Sequence, residues 1–124
     1  MILNVLGVKI KGGETMDNLR YAYLGDAVYE LFIRKYLINT LGIKKVKVLQ
    51  ETAINYVSAK SQVRILEKLI NNNLLTEEEL DIVRQGRNAN SHSSKSTDIV
   101  TYKKSTGFEC LIGYLYENDI ERCN

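Results

Sequence analysis

Apolar residues recur along much of the chain at spacings of three and four, as one buried face of an α-helix requires. The first such stripe follows Asp17, a residue suited to capping a helix, and comprises Leu24, Ala27, Val28, Leu31 and Phe32, with Arg34 and Lys35 near the helix end. Asn39 to Gly42 interrupts it. A second helical region begins near Lys45 and carries Val48, Leu49, Ile54 and Val57. Ser58 can accept a cap bond, so this region divides into two helices. The latter has the stripe Val63, Leu66, Leu69 and Ile70 and stops at Asn71 to Asn73, whose side chains compete for backbone hydrogen bonds. The clearest start is Thr76, in capping-box spacing with Glu79, with Glu77 and Glu78 favouring the positive end of the helix. That helix carries Leu80, Ile82 and Val83 towards Arg87, and Asn88 to Thr97, almost without apolar residues, reads as an exposed loop. From Asp98 the helical pattern resumes through Ile99, Tyr102, Phe108, Leu111, Ile112, Leu115 and Tyr116, with Gly107 as the point where it would bend. The predicted fold class is all-α, a helical bundle.

Composition narrows the possibilities. At 124 residues, 44% hydrophobic and without proline, the chain fits one globular domain with a real core and few points that force the backbone out of a helix. Its uncharged apolar stretches fall short of the roughly 18 residues that span a membrane. The run Met1 to Ile10 is apolar, but no basic region precedes it and no small-residue cleavage site follows, so it does not read as a signal peptide. A strand-like arm, a piece of core and an extension ahead of the domain all fit it. Two cysteines, Cys110 and Cys123, and a single histidine form neither a disulfide framework nor a zinc-ligand pattern, which points to a reducing, cytoplasmic setting. Against 15 Asp and Glu, 17 Lys and Arg leave a net charge of +2, too little to announce a nucleic-acid partner, so any basic surface must come from local clustering.

Chemistry concentrates on two acids. Asp26 lies in the middle of an apolar helix and follows Gly25, where a better helix former would be more stable by roughly 1 kcal/mol. Two readings fit: Gly25 permits close helix packing with Asp26 at the edge of the stripe, or the carboxylate sits in an apolar setting and needs a partner such as a metal ion. Glu109, within Gly107-Phe-Glu-Cys-Leu-Ile-Gly113, poses the same question. Side-by-side packing of the two helices, eased by Gly25 and Gly113, would join both carboxylates in one site suited to Mg²⁺, which commonly binds through one or two carboxylates and keeps several waters.

Tyr21-Ala-Tyr-Leu-Gly-Asp-Ala-Val-Tyr-Glu30, Val57-Ser-Ala-Lys-Ser-Gln62, Arg84-Gln-Gly-Arg-Asn-Ala89 and Tyr102-Lys-Lys-Ser-Thr-Gly-Phe-Glu-Cys-Leu-Ile-Gly-Tyr-Leu-Tyr116 together resemble Mini-ribonuclease III, the short bacterial, catalytic-domain-only branch of the ribonuclease III family. The resemblance runs from about Asn18 to Tyr116. It divides the chain into an extension, 1–15, and a catalytic domain, 16–124, with no appended double-stranded-RNA-binding domain. It implies an α-helical endoribonuclease that works as a homodimer, cuts double-stranded RNA with Mg²⁺ and leaves 5′-phosphate and 3′-hydroxyl ends with a short 3′ overhang. The implied reaction is in-line attack of metal-activated water on the scissile phosphorus, with the 3′-oxygen leaving. The implied task is maturation of precursor 23S ribosomal RNA in its paired stem, with a ribosomal protein as a candidate partner in presenting it. Asp26 matches the aspartate of the family's Leu-Gly-Asp motif and Glu109 the glutamate of its Phe-Glu motif, which makes both the implied catalytic residues and metal ligands. Larger members carry a further glutamate four positions before that aspartate and a further aspartate three positions before that glutamate; here those positions are Ala22 and Thr106, which leaves the number of metals open.

A catalytic domain working alone must itself grip A-form RNA, through phosphates and 2′-hydroxyls. The RNA-binding candidates are Lys60 in the Val-Ser-Ala-Lys block, Arg84 and Arg87 with Asn88, and Lys95 with Lys103 and Lys104. Lys44, Lys45 and Lys47 read better as an ordinary solvated face. Positive charge should gather opposite a surface carrying Glu77 to Glu79. Tyr21, Tyr23 and Tyr29 suit core or interface positions better than base stacking, and His92 suits an exposed position better than a general base. The competing readings are a catalytically silent RNA-binding or ribosome-associated module and a helical interaction protein with no nucleic-acid role.

Overall fold

The structure, a computed structural model, describes residues 1–7, 17–89 and 98–124. Its elements are α1 (Ile2–Val5), α2 (Asn18–Lys35), a π-helical turn (Tyr36–Thr40), α3 (Val46–Val57), α4 (Ala59–Asn71), α5 (Glu77–Asn88), α6 (Ile99–Asn118) and α7 (Ile120–Cys123), with no strand among the described residues. Side chains start the long helices at the expected places. Asp17 accepts from the backbone N–H of Arg20 at 2.9 Å, Ser58 from Ser61 at 3.3 Å and Asp98 from Thr101 at 2.8 Å. Thr76 and Glu79 form the reciprocal capping box, at 3.1 and 2.8 Å. Ser58 both ends α3 and caps α4, so the expected division into two helices is present. At the far end of α2 the chain passes through the π-helical turn and leaves the helix by Gly42, at φ 66°, a left-handed conformation that favours glycine.

Helix α6 is the centre of the bundle and packs against α2, α5 and α4. Its Phe108 and Leu111 are almost inaccessible, and with Tyr29, Ile33, Leu37, Leu66, Val83 and Leu115 they make one apolar cluster. Tyr29 meets Phe108 edge-on at 5.3 Å between ring centres, and its hydroxyl donates to the carbonyl of Tyr56 at 2.7 Å, which ties α2 to the end of α3.

The buried face of α2 differs from the stripe expected for it. Ala27 and Leu31 are exposed, Leu24 and Phe32 are half-buried, and the buried residues are Tyr21, Ala22, Gly25, Val28, Tyr29 and Ile33. Side-chain volume is a poor guide here because α2 meets α6 at Gly25, which has no side chain, with Tyr21, Ala22, Val28, Tyr29 and Ile33 buried around it. A Cβ on Gly25 would stand 2.7 Å from the carbonyl carbon of Glu109 and 2.8 Å from the nitrogen of Gly113. A Cβ on Gly113 would stand 2.8 Å from the carbonyl carbon of Tyr21. Main chain therefore touches main chain, and Leu24 and Leu31 are turned aside while Tyr21 and Tyr29 are buried beside the crossing. Gly107 serves a similar purpose inside the unbroken α6, where a Cβ would come within 2.6 Å of the carbonyl oxygen of Val83 on α5.

Three other expectations change. Glu79 does not belong to an acidic surface with Glu77 and Glu78: it is 6% exposed and is held by Arg122 of α7. The Arg122 guanidinium forks onto both carboxylate oxygens, Nε to Oε2 at 2.9 Å and Nη2 to Oε1 at 2.8 Å, while Nη2 also donates to the carbonyl of Leu74. Met1, Ile2, Val5 and Leu6 are exposed around the short α1, so residues 1–7 form no strand and these four no part of the core, while residues 8–10 of the apolar run lie outside the described residues. Asn88 is the last residue of α5 rather than the start of a loop, and most of the expected loop, with His92 and Lys95, lies outside the described residues.

Two outcomes follow from these contacts. Gly25→Ala forces α2 from α6 and is expected to cost on the order of 2–3 kcal/mol, read as a lowered midpoint in urea. The Arg122 hydrogen bonds are the main cause that holds the Glu79 carboxyl at about 2, below its ordinary 4.5. A lowered folded-state pKa stabilises the protein above pH 4.5 and is lost as pH falls towards 2. Arg122→Ala should therefore lower stability at pH 7 and flatten its decline between pH 4.5 and 2, as followed by denaturation across pH.

Candidate active site

The close crossing of α2 and α6 delivers two acids to one place. Asp26 is the residue after Gly25, and the carbonyl against which Gly25 rests belongs to Glu109. The carboxyl groups lie close enough for the charge on Asp26 to act on Glu109. They are not equivalent. Asp26 is exposed, whereas Glu109 is partly buried, so the cost of placing a charge among apolar neighbours falls on Glu109 rather than on Asp26. Burial pushes the Glu109 carboxyl above the ordinary carboxylate range, the hydrogen bond and charge of Asp26 push the same way, and a hydrogen bond from Gln62 partly offsets them.

Gln62 reaches the site from α4. It is 3% exposed, and its Nε2 donates to Glu109 Oε2 at 3.4 Å and to the carbonyl of Val57 at 3.3 Å. Its Oε1 is buried without a hydrogen-bond partner, a condition that costs on the order of 1–3 kcal/mol. Sequence reasoning passed over this residue. The signal was a polar side chain in register with Leu66 and Leu69 on the buried stripe of α4. Ala22 and Thr106 stand one helical turn before Asp26 and Glu109, and both are buried. The Thr106 hydroxyl donates to the carbonyl of Tyr102 at 3.0 Å, so it is engaged within its own helix.

These residues suit a hard divalent cation. Two carboxylates that repel one another gain from a cation between them. Among the described residues no group of three or more His, Cys, Asp or Glu assembles elsewhere as a metal cage.

Comparison with known proteins agrees with this arrangement. Residues 19–119 match the model of the ribonuclease III domain. The Mini-ribonuclease 3 of Enterococcus faecalis is 46% identical over 102 residues, covering 82% of this chain and 76% of that protein. That of Acholeplasma laidlawii is 47% identical over 107 residues, covering 86% and 85%. The chain belongs to the Mini-ribonuclease 3 branch of the ribonuclease III family. A crystal structure of a protein from Fusobacterium nucleatum superposes with a TM-score of 0.72 at 31% identity, covering 89% of each chain.

A Mini-ribonuclease 3 is an endoribonuclease for double-stranded RNA, and the basic residues expected to meet that substrate occupy different settings. Lys60 is exposed in the first turn of α4, two residues before Gln62. Arg87 and Asn88 are exposed at the end of α5, and Lys103 is exposed on α6. Arg84 pairs with Asp81 at 3.3 Å and Lys104 with Glu67 at 3.5 Å, both solvent-accessible pairs of the kind that contributes little to stability. Lys95 lies outside the described residues.

The buried acid gives a stability signature. A carboxyl whose pKa is raised by folding destabilises the protein increasingly as pH rises above 4.5. In chelator, Glu109→Gln is expected to be more stable than the unaltered chain at pH 8 and to lose that advantage towards pH 5, as measured by urea denaturation.

Proposed function

We propose that this chain hydrolyses phosphodiester bonds of paired RNA with Mg²⁺ held by Asp26 and Glu109, leaving 5′-phosphate and 3′-hydroxyl ends. The observation that carries the reading is the pair itself: two acids from distant parts of the chain share one place, at a stability cost a divalent cation would relieve. When bound, the ion supplies Lewis-acid activation of water and neutralises charge on the phosphoryl oxygens. The protein supplies position. Asp26 is exposed and so open to an arriving phosphate, while Glu109 is anchored deeper against α4 and a backbone contact. Lys60, Arg84, Arg87, Asn88, Lys103 and Lys104 are the proposed RNA contacts among the described residues. Arg84 and Lys104 would exchange Asp81 and Glu67 for backbone phosphates, an exchange made inexpensive by the exposure of both pairs.

A homodimer would let each copy cut one strand. Tyr23, Ala27 and Leu31 follow one another at four-residue spacing and leave an exposed apolar strip on α2, with Tyr23 87% exposed. That strip is the surface we assign to the second copy. Precursor 23S ribosomal RNA in the cytoplasm is the proposed substrate, and a ribosomal protein the proposed partner in presenting it. Both rest on the motifs shared with the family.

The test is cleavage of a perfectly paired RNA with and without Mg²⁺, with mapping of the product ends. Asp26→Asn and Glu109→Gln should each lower the rate by about a thousandfold or more, as expected for loss of several kcal/mol of charge stabilisation, while RNA binding in a gel persists. Normal cleavage by either variant would remove the assignment. Binding without cleavage by the unaltered chain would instead mark it as a silent RNA-binding module.

A further inference from the structure

Gln62 occupies a place that packing alone would give to an apolar residue. It lies on the buried stripe of α4 with Leu66 and Leu69, is almost fully inaccessible, and leaves one amide oxygen unpartnered. A leucine there would fill comparable volume without a buried orphan acceptor. The amide's orientation is set by chemistry. Its nitrogen faces the Val57 carbonyl and the Glu109 carboxyl, both of them acceptors, so exchanging the amide's nitrogen and oxygen would set oxygen against oxygen at both contacts. Val57 closes α3 and Ser58 begins α4, so the first contact fixes Gln62 to the junction of two helices. The second carries that fixed position across to α6.

We propose that Gln62 is a positioning residue for hydrolysis: it bridges the α3–α4 junction to Glu109 Oε2 and so holds the Glu109 carboxylate in the one orientation that faces Asp26. This rests on the reading of Asp26 and Glu109 as the metal-holding pair. Both bonds are long, at 3.3 and 3.4 Å, as bonds that tighten only in the loaded state commonly are. A carboxylate free to rotate would still bind, but less often in the productive arrangement.

A structural residue and a positioning residue respond in opposite directions to Gln62→Leu. The expected result is a melting temperature equal to or above that of the unaltered chain, a fall in kcat of about 10- to 100-fold, and KM for paired RNA unchanged within about twofold. Calorimetric titration with Mg²⁺ alone should show affinity weakened by about tenfold. Gln62→Met, nearly isosteric, repeats the test should leucine be poorly accommodated. Unaltered kcat and Mg²⁺ affinity in both variants would overturn the proposal. So would a lowered melting temperature with no loss of Mg²⁺ affinity, which would mark Gln62 as structural only. Failure of the unaltered chain to cleave would instead count against the proposed function, and the calorimetric comparison would still read the effect of Gln62 on the pair.

Discussion

Two helix backbones meet without intervening side chains where Gly25 rests on Glu109 and Gly113 on Tyr21, and the remaining geometry follows from that contact. Such an approach removes side-chain bulk at the crossing and leaves each helix's next residues unusually near the other. Asp26 follows Gly25 directly, and Glu109 is itself the residue Gly25 rests on. The placement of the two acids' backbones is thus set by main chain, the least deformable part of the molecule, and leaves only the orientation of their side chains to neighbouring groups. The same contact leaves no room for a side chain at the crossing: a Leu24 or Leu31 there would hold the helices apart, whereas Tyr21 and Tyr29 pack beside it, edge-on to Tyr114 and Phe108 of α6.

The acid pair works against the fold. Burial and mutual repulsion favour a proton on Glu109, and Gln62 holds the carboxyl at the expense of its own unpaired oxygen. Strain of this sort persists where the surrounding packing is strong enough to carry it. Phe108 and Leu111 flank Glu109 and Cys110 in sequence, are among the least accessible residues in the protein, and lock α6 in rotation and register. The helix that carries the costly group is also the one most firmly held.

Polar anchors complete the frame at its edges. Arg122 satisfies buried Glu79 and the Leu74 carbonyl together, clamping the short α7 to the start of α5. Removing Arg122 would leave buried Glu79 unpaired in a poorly hydrated place, which makes this clamp worth more than a fully exposed ion pair. Arg122 stands just past residues 19–119, the span matched by the family's domain, while Glu79 and Leu74 lie within it.

Helix starts were legible in the sequence because capping is local: Asp17, Ser58, Thr76 and Asp98 each find their partner within three residues. The all-α class was legible for the same reason, since periodicity needs no knowledge of distant contacts. Asp26 and Glu109 stood out as acids in apolar runs, with Gly25 and Gly113 beside them as the residues that would let two helices touch. Which side of α2 is buried was not legible, because α6 packs about Gly25, which carries no side chain, and the aliphatic stripe through Leu24 and Leu31 selects the neighbouring face. Glu79 and Gln62 were likewise hidden. Each is an ordinary polar residue by local rules, and only a partner 43 or 47 positions away gives it a buried role. Short-range hydrogen bonding and periodicity determined the elements; the tertiary structure decided which backbones touch, and through that contact which acid is buried and which is exposed.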